Sequence, residues 1–334
     1  MLGNKHDLDL LKKRFTSDFK IPITIFLDQY WDWFLELFEK GYSAKTKWNK
    51  LVDLIDSEYL GDPMKFLEDY KNHRETLIQW VRDNKKFNEF NQSKDLQKFG
   101  LSEELKGIKK TDIYNEDNIG KHFISIDLKK ANFQVISYIT GLSNGIYPIK
   151  IDKIYLDWIK SIFPNTNQGM IDYLFQSKFT REFIFGNCNP GRQILVERWL
   201  VSKAWNRDPG LKVIQLGSDE LVLEVLDGQE HNIIIPGDID ARVENFTLEQ
   251  WTWKTHNDAL EKIYRRNTGQ PISISQFRGI KKYYMPQIYE DIYGIPRDKE
   301  GRDRLFFLEK SADLCQFINC LEKYQIKNYR LFIS

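Results

Sequence analysis

Over the first hundred residues, apolar side chains recur at three- and four-residue intervals. The stretch FLDQYWDWFLELFEK puts Phe26, Tyr30, Trp33, Phe34, Leu37 and Phe38 on one face of a helix. AKTKWNKLVDLIDSEYL and DPMKFLEDYKNHRETLIQWVRDNKKFNEF continue the period, and the second opens on Asp62-Pro63, an N-cap followed by proline at the first helical position. Residues 1–112 are therefore expected to form a helical N-terminal domain. Its Trp and Phe residues, lying at helical spacing, are read as core rather than as a base-stacking surface.

The pattern turns polar at KGIKKTDIYNEDNIG, residues 106–120, which suggests a boundary. In KHFISIDLKKANFQVISYITG, Phe123, Ile124 and Ile126 read as a strand ending at Asp127, followed by a turn and a helix to Tyr138. Residues 151–205 read as helices broken at FPNTNQG and GNCNPGRQ. Strands are expected at 213–217 and 221–226, with a third in Asn232–Ile239. Beyond 246 the pattern predicts a helix over LEQWTWKTHNDALEKIYRR, a loop NTGQPISIS and a helix SADLCQFINCLEKY. The expected class is α+β: the helical domain, a central antiparallel sheet region over 113–245 with helices inserted at about 151–205, and a mixed C-terminal region over 246–334.

Composition narrows the function classes. With 41% hydrophobic and 14% aromatic residues the chain is not disordered. No apolar run approaches the roughly 20 residues that span a bilayer, and Asp7 and Asp9 stand where a secretory signal would be apolar. A soluble intracellular protein without a membrane partner is expected. The 49 basic and 48 acidic side chains exclude a uniformly basic nucleic-acid binder but leave room for a local basic groove. Cys188, Cys315 and Cys320 have no CxxC spacing and the five histidines form no HxxxH pair, so a His/Cys metal site is not expected. No Walker-type loop and no G-x-S-x-G elbow is present.

What remains is a pair of acidic strand ends. VIQLGSDELVLEV alternates like a strand but carries Asp219 and Glu220 at its centre, 92 residues after Asp127. Alone, Gly-Ser-Asp-Glu is an ordinary hairpin turn. If the two strands are neighbours, their acids meet at one edge and can hold two divalent cations, Mg²⁺ or Mn²⁺, about 3.5–4 Å apart.

DLKKANFQVIS resembles the first palm motif of family A DNA polymerases and of reverse transcriptases, in which an aspartate ends a strand and the residue five positions on faces the sugar of the incoming nucleotide. SDELVLEV is similar to the third palm motif of family A polymerases. The resemblance, covering about residues 120–227, implies that Asp127 and Asp219 are metal ligands and Glu220 a secondary acid. It puts Asn132 at the sugar-facing position, where family A has a glutamate. It further implies a palm over 113–245 with a fingers-like region at about 151–205 and a thumb-like or accessory region from 246. GGDEF-type diguanylate cyclases and the tRNA-His guanylyltransferase family share the two motifs but set them closer together.

Cations for a nucleoside triphosphate are expected between the motifs. Lys178 and Arg181 share a helix face, and Arg192 follows GNCNPG at a helix start, where free N–H groups also favour anions. In YRRNTGQPISISQFRGIKKYYMP, Arg265, Arg266, Arg278, Lys281 and Lys282 interleave with aromatics, a composition that suits primer or template binding and equally a solvated surface. Asp238 and Asp240 in PGDID are read as a turn or as extra ligands. The expected function is metal-dependent nucleotidyl transfer onto a nucleic-acid 3′ end. The alternatives are a template-independent guanylyltransferase- or cyclase-like enzyme, and a non-catalytic nucleic-acid-binding or replisome scaffold protein.

Overall fold

The computed structural model describes residues 5–23, 26, 28–95, 97, 112–205, 207–254, 260–273 and 276–280. Among them, the helices are α1 (Lys5–Phe19), α2 (Asp28–Leu37), α3 (Glu39–Tyr42), α4 (Ala44–Glu58), α5 (Pro63–Asp83), α6 (Lys85–Gln92), α7 (Ala131–Thr140), α8 (Ile151–Ile162), α9 (Gln168–Gln176), α10 (Lys178–Asn187) and α11 (Pro190–Ser202). The strands are β1 (His122–Leu128), β2 (Leu211–Leu216), β3 (Glu220–Val225), β4 (Ala241–Lys254), β5 (Leu260–Asn267) and β6 (Phe277–Arg278). They form an open sheet ordered β2-β3-β1-β4-β5-β6, with β1 pairing antiparallel to both β3 and β4. The class is α+β.

Local chemistry explains most helix boundaries. Asn84, Asn167 and Ser177 each accept a hydrogen bond from the backbone N–H three residues on, satisfying a donor that the first helical turn leaves open. Pro63 and Pro190 occupy first helical positions, where a missing N–H costs nothing. Helix α7 stops at Gly141, whose φ of +83° suits a residue without Cβ. No described helix is long and apolar enough to cross a membrane.

The chain divides into two compact units, residues 1–63 with 249–334, and residues 64–248. The division falls at the start of α5 and inside β4, so α5 and α6 fold with β1–β3 rather than with α1–α4. In the first unit, Phe15, Trp31 and Trp48 pack edge to face with ring centroids 4.9–6.2 Å apart, placing these helical aromatics in the core. In the second unit the core runs through Phe123, Ile126, Phe133, Val135, Trp158, Val196, Leu221 and Leu223.

Two expected elements differ. Asn232–Ile239 forms no strand, and Ile234 is 76% exposed. An apolar run becomes a strand only where a neighbour can take up its backbone groups. Where its residues are described, the expected helix over 248–266 is instead the end of β4 and most of β5. Phe246 and Leu248 are buried in period two while β1 supplies the ladder as far as Thr247. The three-residue step from Leu248 to Trp251 imitates a helix, but the aromatic and β-branched residues of WTW suit a pleated surface. The stretch SADLCQFINCLEKY, together with Lys281 and Lys282, lies outside the described residues.

Candidate active site at the ends of strands β1 and β3

Asp127 and Glu220 are direct partners across the β1–β3 ladder, and the Leu128 N–H donates to the Asp219 carbonyl at 2.9 Å. The three acids thus stand at the same end of adjacent strands. Residues directly opposed in an antiparallel pair point to one face, so Ser125, Asp127 and Glu220 share a face with Arg242 and Glu244, their partners on β4. The Ser125 hydroxyl donates to Glu220 Oε1 at 2.6 Å. The Arg242 guanidinium lies 3.6 Å from Asp127 Oδ2, whose side chain is 39% exposed.

The β2–β3 turn is narrow. Gly217 N–H donates to the Glu220 carbonyl at 2.7 Å, and a Cβ at position 217 would lie 3.2 Å from that oxygen. Glycine permits this approach. Asp219, in the turn, accepts a hydrogen bond from the Ser218 hydroxyl at 3.0 Å.

The chain leaving Asp127 is held by Gln134 of α7. Its side-chain amide donates to the Lys129 and Asp240 carbonyls and accepts from the Asp240 N–H, while Lys129 N–H also donates to the Asp240 carbonyl. Asp240 itself accepts from the Ile151 N–H at the start of α8 and pairs with Lys129 at 2.9 Å. Asp238 pairs with Lys203. Both aspartates of PGDID therefore tie elements together.

Helix α11 packs against β1, β3 and α7. Arg198 Nε donates to the Gly217 carbonyl at 3.2 Å, fastening the helix to the acidic turn. Its neighbour Glu197 is buried, 4% exposed. Burial first, and the negative charge of Asp219 second, push the Glu197 carboxyl up to about 7. Sequence reasoning passed over Glu197. The available signal was a carboxylate in the stripe Gln193, Val196, Leu200 and Val201, which is otherwise free of charge.

The expected cations separate on inspection. Arg192 of α11 donates to the carbonyls of Phe90, Asn91 and Ser93, where it caps the end of α6, so its guanidinium is engaged away from an anion. Arg181 donates to the Phe175 and Ser177 carbonyls at 3.2 and 3.3 Å. It lies near Lys130, which pairs with Asp152 at 2.9 Å and sits over the rings of Tyr155 and Phe175. Burial, and then the charge of Arg181, lower the Lys130 pKa. Lys130 is three residues past Asp127 and holds a φ of +47°, unusual for a side chain with Cβ. Lys178 is exposed at the first position of α10, and Asn132 is half-buried in the first turn of α7.

In the other unit, Arg265 is buried, paired with Glu249 at 3.1 Å and set against the Trp251 ring. Arg266 is buried as well, at 4% exposure. Arg278 is exposed on β6. Burial removes Arg265 and Arg266 from a solvent-facing phosphate surface. Cys188 is buried, which pushes its thiol up to about 11 and leaves it a poor nucleophile.

The donors at the β1–β3 end suit a hard divalent cation, being carboxylate oxygens. Among the described residues no three His, Cys, Asp or Glu side chains converge into a ready cage. Magnesium does not require one, because a few carboxylates commonly suffice when water and substrate phosphates fill its octahedron.

Comparison with known proteins finds no matching family model, no matching curated protein and no matching solved structure. The chemistry of the site therefore rests on its own geometry.

Proposed function

We propose that this chain is a metal-dependent nucleotidyltransferase of the polymerase-like kind, adding nucleotides to a nucleic-acid 3′ end. The observation that carries the reading is the pairing of Asp127 with Glu220, which brings Asp219 to the same end of the sheet from 92 residues away. In this reading the sheet over 113–245 is a palm, α8–α11 a fingers-like region and the residues from 246 a thumb-like one. Asp127 and Asp219 would hold two Mg²⁺ or Mn²⁺ ions, with Glu220 as a secondary acid. When bound, such ions activate an attacking hydroxyl and stabilise a leaving phosphate oxygen.

The chain's own side chains supply the remaining work, which in phosphoryl transfer is mainly positioning and charge neutralisation. Lys178, Arg181 and Lys130 face the triphosphate, and Asn132 meets the sugar. Exposed Arg278, with Lys281 and Lys282, contributes backbone contacts to nucleic acid.

A second reading, a non-catalytic nucleic-acid-binding protein with a palm-like sheet, is favoured by Arg242, which already offers Asp127 a counter-charge. One experiment separates the readings. The protein is incubated with labelled primer–template, dNTPs or NTPs, and Mg²⁺ or Mn²⁺, beside Asp127→Ala and Asp219→Ala. Extension by the parent chain and its loss in both variants is expected. Incorporation that ignores the template would favour the guanylyltransferase- or cyclase-like alternative. No incorporation under any condition, with salt-sensitive nucleic-acid binding intact in both variants, would establish the second reading instead.

A further inference from the structure

We propose that Arg74 binds a backbone phosphate of a single-stranded nucleic acid, whose bases stack on Phe179 and Phe183 beside it. This rests on the reading of the chain as one that handles nucleic acid, and applies to its catalytic and non-catalytic forms alike. No motif marks this residue. The packing of α5 on α10 singles it out.

Phe66, Tyr70, Arg74, Leu77 and Val81 form a buried stripe along α5, at the three- and four-residue steps of one helix face. The other four are uncharged, and a leucine or methionine would suit the middle of such a stripe. It carries a permanent cation instead, 8% exposed. The guanidinium carbon lies 4.6 Å from the ring centroid of Tyr70, 4.6 Å from that of Phe183 and 5.2 Å from that of Phe179. Attraction to the rings offsets part of the lost hydration. It leaves the hydrogen-bond donors unused: Nε is buried without a partner, and the side chain has no hydrogen bond or ion pair with any described residue. Buried polar groups are ordinarily hydrogen-bonded, and buried charges paired as well. Arg181 and Arg192 follow that rule through backbone carbonyls. Arg74 departs from it.

An anion supplies what Arg74 lacks, and the surroundings select its kind. Phe179 and Phe183 stack on each other with centroids 5.7 Å apart and planes at 23°, and both are half-exposed. Apolar ring surface therefore adjoins the cation. Single strands are held by this combination, phosphates on the cation and bases on the rings. A carboxylate or a free phosphate would engage the arginine and leave the rings without a role. On α10 the two phenylalanines lie two residues either side of Arg181, about 200° around the helix from it. The contact is thus separate from the cation assigned to the triphosphate. Glu75, the next acid along α5, lies 3.9 Å from Lys71, which moderates its repulsion of a phosphate.

The test uses the full chain and a fluorescein-labelled oligothymidylate, followed by anisotropy across a range of salt without nucleoside triphosphate or metal. Arg74→Met should weaken binding at least about fivefold and lower the slope of log K against log salt by about 0.7, one phosphate contact on a single strand. Phe183→Leu should weaken binding by a similar factor and leave the slope unchanged. Arg74→Lys keeps the charge without the planar fork, so it should restore the slope and only part of the affinity. Affinity and slope unchanged in Arg74→Met would overturn the assignment and leave the nucleic-acid reading standing. Should Arg74→Met fail to fold, Arg74→Lys decides, and parental affinity in that variant would overturn the assignment. Displacement of the oligonucleotide by polyglutamate as readily as by unlabelled oligothymidylate would give the site to an acidic protein and overturn the choice of ligand. Absence of oligothymidylate binding in the parent chain would overturn the assignment and the nucleic-acid reading together.

Discussion

Asp127 and Glu220 stand directly opposite each other across the β1–β3 ladder, two carboxylates on one face of the sheet. Like charges so placed repel, by about 0.2–1 kcal/mol in exposed settings. Ser125 on one side and Arg242 on the other moderate the repulsion.

Replacing Glu220 with glutamine should therefore stabilise the second unit. The amide oxygen still accepts from Ser125 while the repulsion with Asp127 disappears. A gain of about 0.5 kcal/mol is expected in urea unfolding. Arg242→Gln should act in the opposite sense and by no more, because Arg242 is 62% exposed and screened by solvent. A loss of stability in Glu220→Gln would contradict the account.

The loop after β3 should respond to pH. His231 lies between Asp227, at 2.8 Å from Nε2, and Asp208, at 2.9 Å from Nδ1. These two carboxylates, Asp227 the stronger, raise the His231 pKa above the ordinary 6.5. The stabilisation from a raised histidine is complete below its unfolded value and is lost as pH rises through the folded one. Asp227 is lowered by His231, and Asp208 by the Gly210 N–H and then His231, so their share is lost as pH falls through their depressed values, under the ordinary 3.8. The clamp should be firmest between about pH 4 and 6.5. His231→Gln should lower the melting temperature at pH 5.5 and much less at pH 9; equal losses at both would refute the clamp. Gly210→Ala should disturb it at either pH, since a Cβ there would lie 2.5 Å from His231 Cε1.

Arg192 tests whether a cation near a candidate site serves ligand or fold. Its loss leaves three carbonyls at the end of α6 without their charged donor. Arg192→Ala should cost about 2–3 kcal/mol in denaturant unfolding. Lysine, lacking the planar fork, should recover less than half of it. If the variant unfolded like the parent but needed much more nucleotide for transfer, the residue would belong to the triphosphate site after all.

Tyr70 of α5 ties that helix to α10. Its buried hydroxyl lies 2.7 Å from Thr180 Oγ1 and 3.0 Å from Ser177 Oγ, the cap of α10. Tyr70→Phe should cost about 1–2 kcal/mol, since the two hydroxyls can still bond each other. Amide exchange in the first turn of α10 should quicken in step. Unchanged exchange there would show that the tyrosine is not part of the cap.

Several features of the fold were legible because their causes are local. The Asp62-Pro63 start of α5, the breaks between α8 and α9 and between α10 and α11, and the strand that carries Asp127 all follow from residues within a few positions of one another. The SDELVLEV hairpin was legible for the same reason. Where local signals conflicted, they misled. LEQW, with its three-residue step from Leu248 to Trp251, read as helix, and the isoleucine run at 233–235 read as strand. In each case the deciding factor was whether a neighbouring strand was present.

Side-chain employment was harder still to read. Arg192 and Arg181 look alike in sequence as cations on helices near glycine or serine. One is used up by the carbonyls of Phe90, Asn91 and Ser93 at the end of α6, while the other bonds the Phe175 and Ser177 carbonyls near Lys130. Glu197 gave no motif at all, because a carboxylate on an apolar helix face gains meaning only from what lies across from it.

By itself the sequence determined helical periods, caps and turns, and the presence of two acidic strand ends, since these depend on backbone preferences and side chains a few residues apart. The tertiary structure alone decided that β1 lies between β3 and β4, that Asp127 faces Glu220, and that α11 buries Glu197 against the sheet. Those pairings join residues as far as 125 positions apart along the chain, as for His122 and Thr247, and they are selected by burial and ladder formation across the whole unit, which no short window of sequence contains.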